Sequence, residues 1–271
     1  MQVSALAAVL FALALIDGQA PGSRERSAQL QYVANAGVLL TIDGRKLLID
    51  APIRDGIPPY TTSSPEERGR LEGAQPPYDN VSAILVTHWH EDHFSPEAVA
   101  AHLRSDARTV LISSNEVVER VRAVAADLPP SRFRPVTPSP GSATAVDLDG
   151  LRVHVLRIRH NPTRRIPEQH VGFLVEGSRT VLHVGDAETT TGNFAVLNGL
   201  ARVDLALLPF WFLTDDVTAA TTVDIAIRPR ESVGIHLPSS EADGVARTLQ
   251  DKGRRMTLLR APGQVLSLAP R

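Results

Sequence analysis

Residues 87–94, with the sequence THWHEDHF, decide how the rest of this chain is interpreted. Within six positions they supply four side chains of the kind that bind metal ions: His88, His90, Asp92 and His93. The apolar run before them, residues 83–87, is typical of a buried strand, and Ser95-Pro96 after them is typical of a helix start. Loops at strand ends are where α/β folds bind ligands. The segment therefore predicts a metal or ligand site at the edge of a sheet.

The spacing within this segment favours two metal ions over one. Side chains two positions apart on an extended chain point to the same side. His88 and His90 can therefore bind one cation, while the turn that follows directs Asp92 and His93 toward a second. The alternative is a solvated polar turn, but such a combination is rare in a chain with 9 histidines.

Composition excludes several classes of protein. The chain has 271 residues, of which 43% are hydrophobic and 21% charged, as in globular proteins rather than disordered or fibrous ones. Its 28 basic and 30 acidic residues give a net charge of −2, so we expect no nucleic-acid partner. Cysteine is absent, which excludes disulfides and thiolate ligands or nucleophiles. Histidine, carboxylate and water remain as the strong metal ligands.

The N-terminus carries an uncharged apolar run over residues 3–16. It is too short for a stable membrane span, which needs about 20 residues, but it suits a signal peptide over residues 1–20. We therefore expect export to the periplasm or the medium, or a cytoplasmic protein if the segment is not a signal. No Lys or Arg precedes the run, so a buried first helix or a start codon placed too early are the alternatives.

The remainder, residues 28–271, is predicted to form one α/β domain, because short apolar runs alternate with helical patterns. Strands are predicted at 29–35, 38–42, 46–49, 83–87, 109–112, 151–158, 171–176, 180–184, 203–208 and 232–235. Helices are predicted after Pro65, Ser95 and Ser114 and at 218–227 and 241–252. Asp43-Gly44 is expected to form a hairpin turn, and His102 to face solvent on its helix.

The pattern His-x-His-x-Asp-His resembles the signature of the metallo-β-lactamase superfamily of binuclear metal hydrolases. Three further segments resemble its opening hairpin, its bridging aspartate and its final histidine: residues 37–50, Val184-Gly185-Asp186 and residues 203–236. Their order is most similar to the branch that contains ascorbate-phosphate lactonase. The resemblance implies an α/β fold of four layers, an αββα sandwich in a single domain.

The resemblance also implies a ligand set. His88, His90 and a third histidine would hold one ion, and Asp92, His93 and His236 the other, with Asp186 bridging both. The third histidine must be one of four that lie between the main motifs: His154, His160, His170 and His183. We favour His160 because it follows a predicted strand end, with His170 as the alternative. Two divalent ions are expected, zinc before manganese or iron.

The implied chemistry is attack by a metal-bridging hydroxide on a carbonyl or phosphoryl centre. Asp92 is the candidate to orient water or relay its proton, besides binding metal. Asp50 is a charged residue at the end of an apolar strand, where packing does not call for it. This position favours a carboxylate that orients a ligand histidine. The alternative is a turn residue that accepts backbone N–H bonds. Ala187-Glu188 follows Asp186 where the family usually has a hydroxyl residue, so one supporting hydrogen bond is missing or comes from Glu188.

Substrate selection is assigned to loops around the ions. Tyr60, in a proline-rich segment, and the aromatic run that includes Phe210 and Trp211 are the candidate pocket walls, with ordinary core packing as the alternative. Arg164 and Arg165 could meet an anionic group, although a solvated loop is the more common setting for arginine.

These observations predict a metal-dependent hydrolase of a small-molecule ester, lactone or phosphoester. The alternatives are an oxidoreductase with a di-iron centre on the same fold, or a metal-binding member without catalysis. Relatives of the di-iron type have a glutamate where His90 stands in this chain. The sequence does not predict the oligomeric state.

Overall fold

The turn Asp43-Gly44 forms a hairpin within the first β-sheet, as the sequence predicts. Both residues have positive φ, 50° and 75°, which a two-residue type I′ hairpin requires. The turn joins β2 (Gly37–Ile42) to β3 (Arg45–Ile49) as an antiparallel pair. The computed structural model describes residues 28–162, 166–214, 217–254 and 256–268. The predicted signal peptide and the pair Arg164-Arg165 lie outside the described residues.

The first sheet has seven strands. In spatial order they are β14 (Val265–Leu268), β1 (Ala28–Ala34), β2, β3, β4 (Val81–Val86), β5 (Val110–Ser113) and β6 (Phe133–Pro135). The pairs β3 with β4, β4 with β5 and β5 with β6 are parallel. The carboxyl end of β4 therefore opens directly into the segment THWHEDHF.

The second sheet also has seven strands. In spatial order they are β13 (Thr257–Leu258), β12 (Glu231–Ile235), β11 (Leu205–Pro209), β10 (Thr180–His183), β9 (Gly172–Glu176), β8 (Leu151–Leu156) and β7 (Ala143–Leu148). Strands β10, β11 and β12 are parallel to one another. The loops that follow the carboxyl ends of β10 and β12 carry two further predicted ligands, Asp186 and His236.

Three apolar layers hold the sheets and helices together. The inner layer lies between the sheets and contains residues of both, such as Leu40 and Phe173. A second layer covers the outer face of the first sheet, and a third covers the outer face of the second, where Phe212 packs. The order helix, sheet, sheet, helix confirms the predicted αββα sandwich in one domain.

Six α-helices cover the outer faces in the described part of the chain. They are α1 (Pro65–Glu72), α2 (Pro96–Ser105), α3 (Asn115–Val124), α4 (Trp211–Thr214), α5 (Val217–Thr221) and α6 (Ala242–Asp251). Short 3₁₀ segments occupy Pro130–Arg132 and Thr191–Leu197. Ser95 and Ser114 accept hydrogen bonds from backbone N–H groups of the first turn, which confirms both predicted N-caps. Among the described residues, no helix is long and apolar enough to cross a membrane.

The structure differs from the sequence prediction in several elements. Strands β6, β7, β13 and β14 were not predicted, because β6 and β13 have three and two residues and most side chains of β7 and β14 are not buried. The predicted helix 218–227 is α5 followed by a π-helical segment, Thr222–Ile227. In the aromatic run after β11, Phe210 lies in a turn, and Trp211 and Phe212 lie on the short helix α4 rather than in a loop.

The prediction that His102 faces solvent was wrong. Its side chain is fully buried on α2, and its Nδ1 lies 2.6 Å from the Leu71 carbonyl oxygen, which can accept the N–H. The reason is that α2 packs against both α1 and α3, so its flanks are covered as well as the face toward the sheet. Burial lowers the pKa of His102 below its usual value of 6.5, so the folded protein favours the neutral imidazole.

We therefore expect a pH-dependent contribution of His102 to stability. A folded pKa below the unfolded value means that the contribution is complete above pH 6.5 and is lost as the pH falls toward the folded pKa. Replacing it, His102→Ala, should lower the free energy of unfolding by about 2 kcal/mol at pH 8, since a buried hydrogen bond and packing are lost. Urea unfolding should show that this difference shrinks between pH 7 and pH 5. A difference that stays constant over this range would contradict the assignment.

Candidate metal centre

The structure brings all seven predicted metal-ligating side chains together at one end of the sandwich. They form two groups, in each of which one donor atom per residue lies within 4.8 Å of the others. The first group contains His88, His90, His160 and Asp186, and the second contains Asp92, His93 and His236. Residues far apart in the sequence thus meet where β4 of one sheet and β10 and β12 of the other end.

Asp186 lies between the two groups and faces both. Its Oδ1 is 3.1 Å from His93 Nε2 and 3.5 Å from His236 Nε2. Its Oδ2 is 3.7 Å from His160 Nε2. Each carboxylate oxygen therefore points toward a different group, which is the arrangement that a bridging carboxylate needs.

Several donor atoms in the centre are buried and unpaired. Within the described part of the chain, both ring nitrogens of His236 make no hydrogen bond of acceptable geometry, and four atoms that lie within 4 Å of an opposing group make none: His93 Nε2, His160 Nε2, His236 Nε2 and Asp186 Oδ1. A buried polar atom without a partner costs about 1–3 kcal/mol. Four that converge on one place fit bound cations, and a donor set of imidazole nitrogen and carboxylate oxygen fits zinc among other divalent ions.

The charge distribution also suits cations. Burial alone would raise the pKa of each carboxyl group, but the neighbouring imidazoles lower the pKa of Asp50, Asp92 and Asp186 below its usual value. Burial lowers the pKa of His88 and His160. Ionised carboxylates and neutral His88 and His160 are in the state that binds a metal. The carboxylates of Asp186 and Asp92 raise the pKa of buried His93, so His93 has to release a proton when its Nε2 binds an ion.

Three of the histidines have their Nδ1 atoms engaged away from the centre. His160 Nδ1 lies 2.6 Å from the Asn161 carbonyl oxygen, and His93 Nδ1 lies 2.8 Å from Asp50 Oδ2. His88 Nδ1 lies 2.9 Å from the Thr87 hydroxyl oxygen. When each Nδ1 carries the proton and donates it to these acceptors, each Nε2 is left as a lone-pair donor toward the centre.

Asp50 lies behind both groups, where the sequence analysis placed it. It is fully buried, and its Oδ1 accepts the backbone N–H of Thr87 at 2.8 Å. Its Oδ2 accepts the Thr87 hydroxyl at 2.6 Å as well as His93 Nδ1–H. Because the same hydroxyl faces His88 Nδ1, one carboxylate connects a histidine of each group. Thr87 is not among the site residues predicted from the sequence.

The other candidates for the third histidine are engaged elsewhere. His170 Nδ1 lies 3.1 Å from the Ile158 carbonyl oxygen, its Nε2 accepts the Asp186 backbone N–H at 3.1 Å, and burial lowers its pKa to about 3. His183 Nε2 lies 2.9 Å from the Ala36 carbonyl oxygen, and its Nδ1 accepts the Gly185 N–H. His154 Nε2 lies 2.8 Å from Glu176 Oε1. His160 alone among these four belongs to either group of donors in the described residues.

Asn35 was missed by the sequence analysis. Its Nδ2 donates to the Asp92 carbonyl at 2.9 Å and to Asp92 Oδ2 at 3.1 Å. Its own carbonyl accepts the His236 backbone N–H at 3.0 Å, so it holds residues from both sheets. The backbone of Asn35 has a positive φ of 47°, which asparagine tolerates. That preference indicates a turn from sequence but does not indicate a contact with Asp92.

Glu188 does not support the centre. Its Oε2 accepts the Arg159 Nε–H at 2.7 Å on the surface. The Ala187 carbonyl accepts the indole N–H of Trp211 at 3.1 Å. Glu188 therefore does not replace the hydroxyl residue that the family usually has after the bridging aspartate.

A cleft of 580 Å³ opens onto the centre. Its lining includes the three predicted wall residues, Tyr60, Phe210 and Trp211, together with Asp92 and His236. The ring of Tyr60 lies 4.2 Å from that of His236, and the ring of Trp211 lies 5.3 Å from it. The aromatic side chains thus border the metal-ligating groups directly.

Comparison with known proteins agrees with the fold and the centre. A family model described as Beta-lactamase superfamily domain matches residues 45–259. A protein of Metallosphaera sedula named metal-dependent hydrolase is 28% identical over 255 residues, which cover 89% of this chain and 100% of the relative.

Two solved structures illustrate the likeness in fold. A metallo hydrolase from Ignicoccus hospitalis aligns with a TM-score of 0.59 at 17% identity, covering 90% of this chain and 100% of that one. CmlA, a diiron beta-hydroxylase from Streptomyces venezuelae, aligns with a TM-score of 0.56 at 17% identity, covering 91% of this chain. This chain spans 54% of the length of CmlA. Because the family model covers most of the chain, the protein belongs to the metallo-β-lactamase superfamily.

Proposed function

We propose that the protein is a binuclear metal-dependent hydrolase that acts on a small-molecule ester, lactone or phosphoester. Membership of the superfamily and relatives named metal-dependent hydrolases support the general activity. The observation that carries the binuclear assignment is the position of Asp186, whose two carboxylate oxygens face different groups of buried donors. A carboxylate in that position suits two ions better than one.

In this proposal each group of donors holds one ion. His88, His90 and His160 would hold the first, Asp92, His93 and His236 the second, and Asp186 would contact both. When bound, a pair of divalent cations lowers the pKa of water toward about 7 and stabilises negative charge on the substrate. Zinc is the expected metal because the donors are imidazole nitrogen and carboxylate oxygen; manganese and iron are the alternatives.

Asp92 is the proposed proton acceptor. It lines the cleft, and nearby His93 and His236 lower its pKa although burial alone would raise it, so the carboxylate is ionised. Asn35 fixes its orientation by donating to Asp92 Oδ2. Held in this way, Asp92 would orient the attacking water and accept its proton at a carboxylate oxygen.

An oxidoreductase with a di-iron centre is the second interpretation of the same fold. The likeness to CmlA is a likeness of fold, at 17% identity. In the present chain His90 belongs to the first group of donors, where the di-iron relatives that the sequence analysis considered have a glutamate. We therefore favour hydrolysis.

The proposed function is tested by metal content and by a substrate panel. Protein loaded with zinc, manganese or iron is assayed against p-nitrophenyl carboxylic esters, lactones, p-nitrophenyl phosphates and β-lactams, with oxygen consumption measured in parallel. Hydrolysis that requires two bound ions per chain would support the proposal. Oxygen consumption without hydrolysis would favour the di-iron alternative, and bound metal with neither activity would favour a non-catalytic member.

Replacing the bridging candidate, Asp186→Ala, should abolish loading of the second ion and hydrolysis together. The substitution removes both oxygens that face the two groups and leaves their histidines without a shared anion. Metal content by mass spectrometry and kcat/KM on the best substrate are the readouts. A variant that keeps two ions and full activity would refute the bridging role.

The matched control for that experiment is His154→Ala. His154 is a histidine of the same region of sequence, but it pairs with Glu176 and belongs to neither group of donors. We expect two ions per chain and activity within a few-fold of wild type. Thermal unfolding of both variants checks that each is folded at the assay temperature.

The Thr87 hydroxyl should matter for metal affinity through its bonds to Asp50 and His88. Thr87→Val keeps the shape but removes that hydroxyl, whereas Thr87→Ser retains it. Loss of a hydrogen bond behind a ligand histidine lowers metal affinity about 10-fold or more, so zinc competition with a chromophoric chelator should separate valine from serine. Equal affinities in the two variants would exclude a positioning role for Thr87.

A further inference from the structure

We infer that the cleft selects uncharged substrates that carry an aromatic or aliphatic group. This inference rests on the proposed hydrolase function and narrows its substrate class. Within the esters, lactones and phosphoesters proposed above, it favours neutral carboxylic esters and lactones with an apolar acyl part. It disfavours substrates with a second, anionic group remote from the reacting centre.

The first support is the apolar character of the walls. Three segments supply them: the loop 57–60, Trp89, and Phe210-Trp211. The loop reads Ile-Pro-Pro-Tyr, so it contributes no charged side chain. Trp89, Tyr60 and Phe210 are only partly buried in the protein itself, so their rings keep apolar area for a ligand to cover.

The second support is where these rings lie. Tyr60 and Trp211 both contact the ring of His236, and the ring of Trp89 lies 4.8 Å from that of His90. The aromatic walls therefore start beside the metal-ligating groups rather than at a distance from them. An apolar group attached directly to the reacting carbonyl would meet these rings.

The third support is the sign of the charges. Among the described residues that line the cleft there is no lysine or arginine, while Glu91, Asp92 and Asp186 are acidic. Asp92 and Asp186 would be compensated by the ions, but Glu91 is exposed and adds negative charge to the lining. Arg120 lies over the ring of Trp89 at 4.7 Å but is not a lining residue. The described walls therefore offer no cationic partner to a remote carboxylate or phosphate. Arg164 and Arg165, which follow the lining residue Asn161 closely in sequence, lie outside the described residues.

The chain offers a direct reporter of occupancy. It contains 2 tryptophans, and both Trp89 and Trp211 line the cleft. Intrinsic tryptophan fluorescence therefore reports on ligands in the cleft, whether or not hydrolysis occurs.

The binding experiment titrates zinc-loaded protein with primary amides from butanamide to octanamide, followed by tryptophan fluorescence. Each buried methylene contributes about 0.8 kcal/mol, a factor of about 4. Because the cleft is partly open, we expect octanamide to bind about tenfold or more tighter than butanamide. Tyr60→Ala should reduce this gain, whereas Ile225→Ala, which removes an exposed apolar side chain outside the cleft, should not.

The kinetic experiment compares p-nitrophenyl acetate, p-nitrophenyl hexanoate and the p-nitrophenyl half-ester of adipic acid. The last two have the same chain length, but the half-ester ends in a carboxylate. We expect kcat/KM for the hexanoate to exceed that for the acetate and that for the half-ester by about tenfold each.

The outcomes separate this inference from the proposed function. The inference would be overturned if amide affinity did not rise with chain length, or if kcat/KM for the half-ester equalled that for the hexanoate. Hydrolysis of any ester in that experiment would still support the proposed hydrolase function. Amides that bind with the expected dependence, in metal-loaded protein that hydrolyses none of the panel, would support the apolar preference and overturn the hydrolase.

Discussion

The negative charge of Asp186, buried between two groups of histidines, is the constraint on which the site depends. Removing a carboxylate from water is costly unless positive charge compensates it. The protein surrounds this carboxylate with imidazoles, whose Nε2 atoms at His93 and His236 lie 3.1 and 3.5 Å from its Oδ1. Burial favours the neutral form of His88 and His160. Bound cations would complete the compensation that these side chains leave open.

Hydrogen bonds behind the metal-ligating side chains hold Asp186 and its histidine neighbours in position. Its backbone N–H is held by His170, and Asp50 fixes His93 directly and His88 through Thr87. Asp50 follows β3 and Thr87 follows β4, both in the first sheet, whereas Asp186 follows β10 in the second. Each group of donors combines residues that follow strands of both sheets, so the apolar layer between the sheets sets how closely the donors within a group approach one another. Metal binding and packing of the sandwich depend on the same core.

Much of this arrangement could be predicted from the sequence, because several ligands follow apolar strands that are easy to recognise. The segment THWHEDHF after β4 is of this kind, whereas Asp186 and His236 were predicted from the resemblance to the superfamily. His160 was preferred to His170 because it follows a predicted strand end. The structure adds that both ring nitrogens of His170 are already bonded to backbone groups, the Ile158 carbonyl and the Asp186 N–H. Asn35 could not be predicted, because its contact with Asp92 joins segments 57 residues apart. His102 is buried because α1 and α3 pack against α2, and the apolar pattern of α2 alone does not indicate these contacts.

The most direct test of the account is the anomalous scattering of crystals grown with zinc, measured at the zinc absorption edge. The account predicts two peaks about 3.5–4 Å apart, one contacting His88, His90 and His160 and the other contacting Asp92, His93 and His236, with Asp186 between them. A single peak at saturating zinc, or two peaks that do not share Asp186, would contradict it.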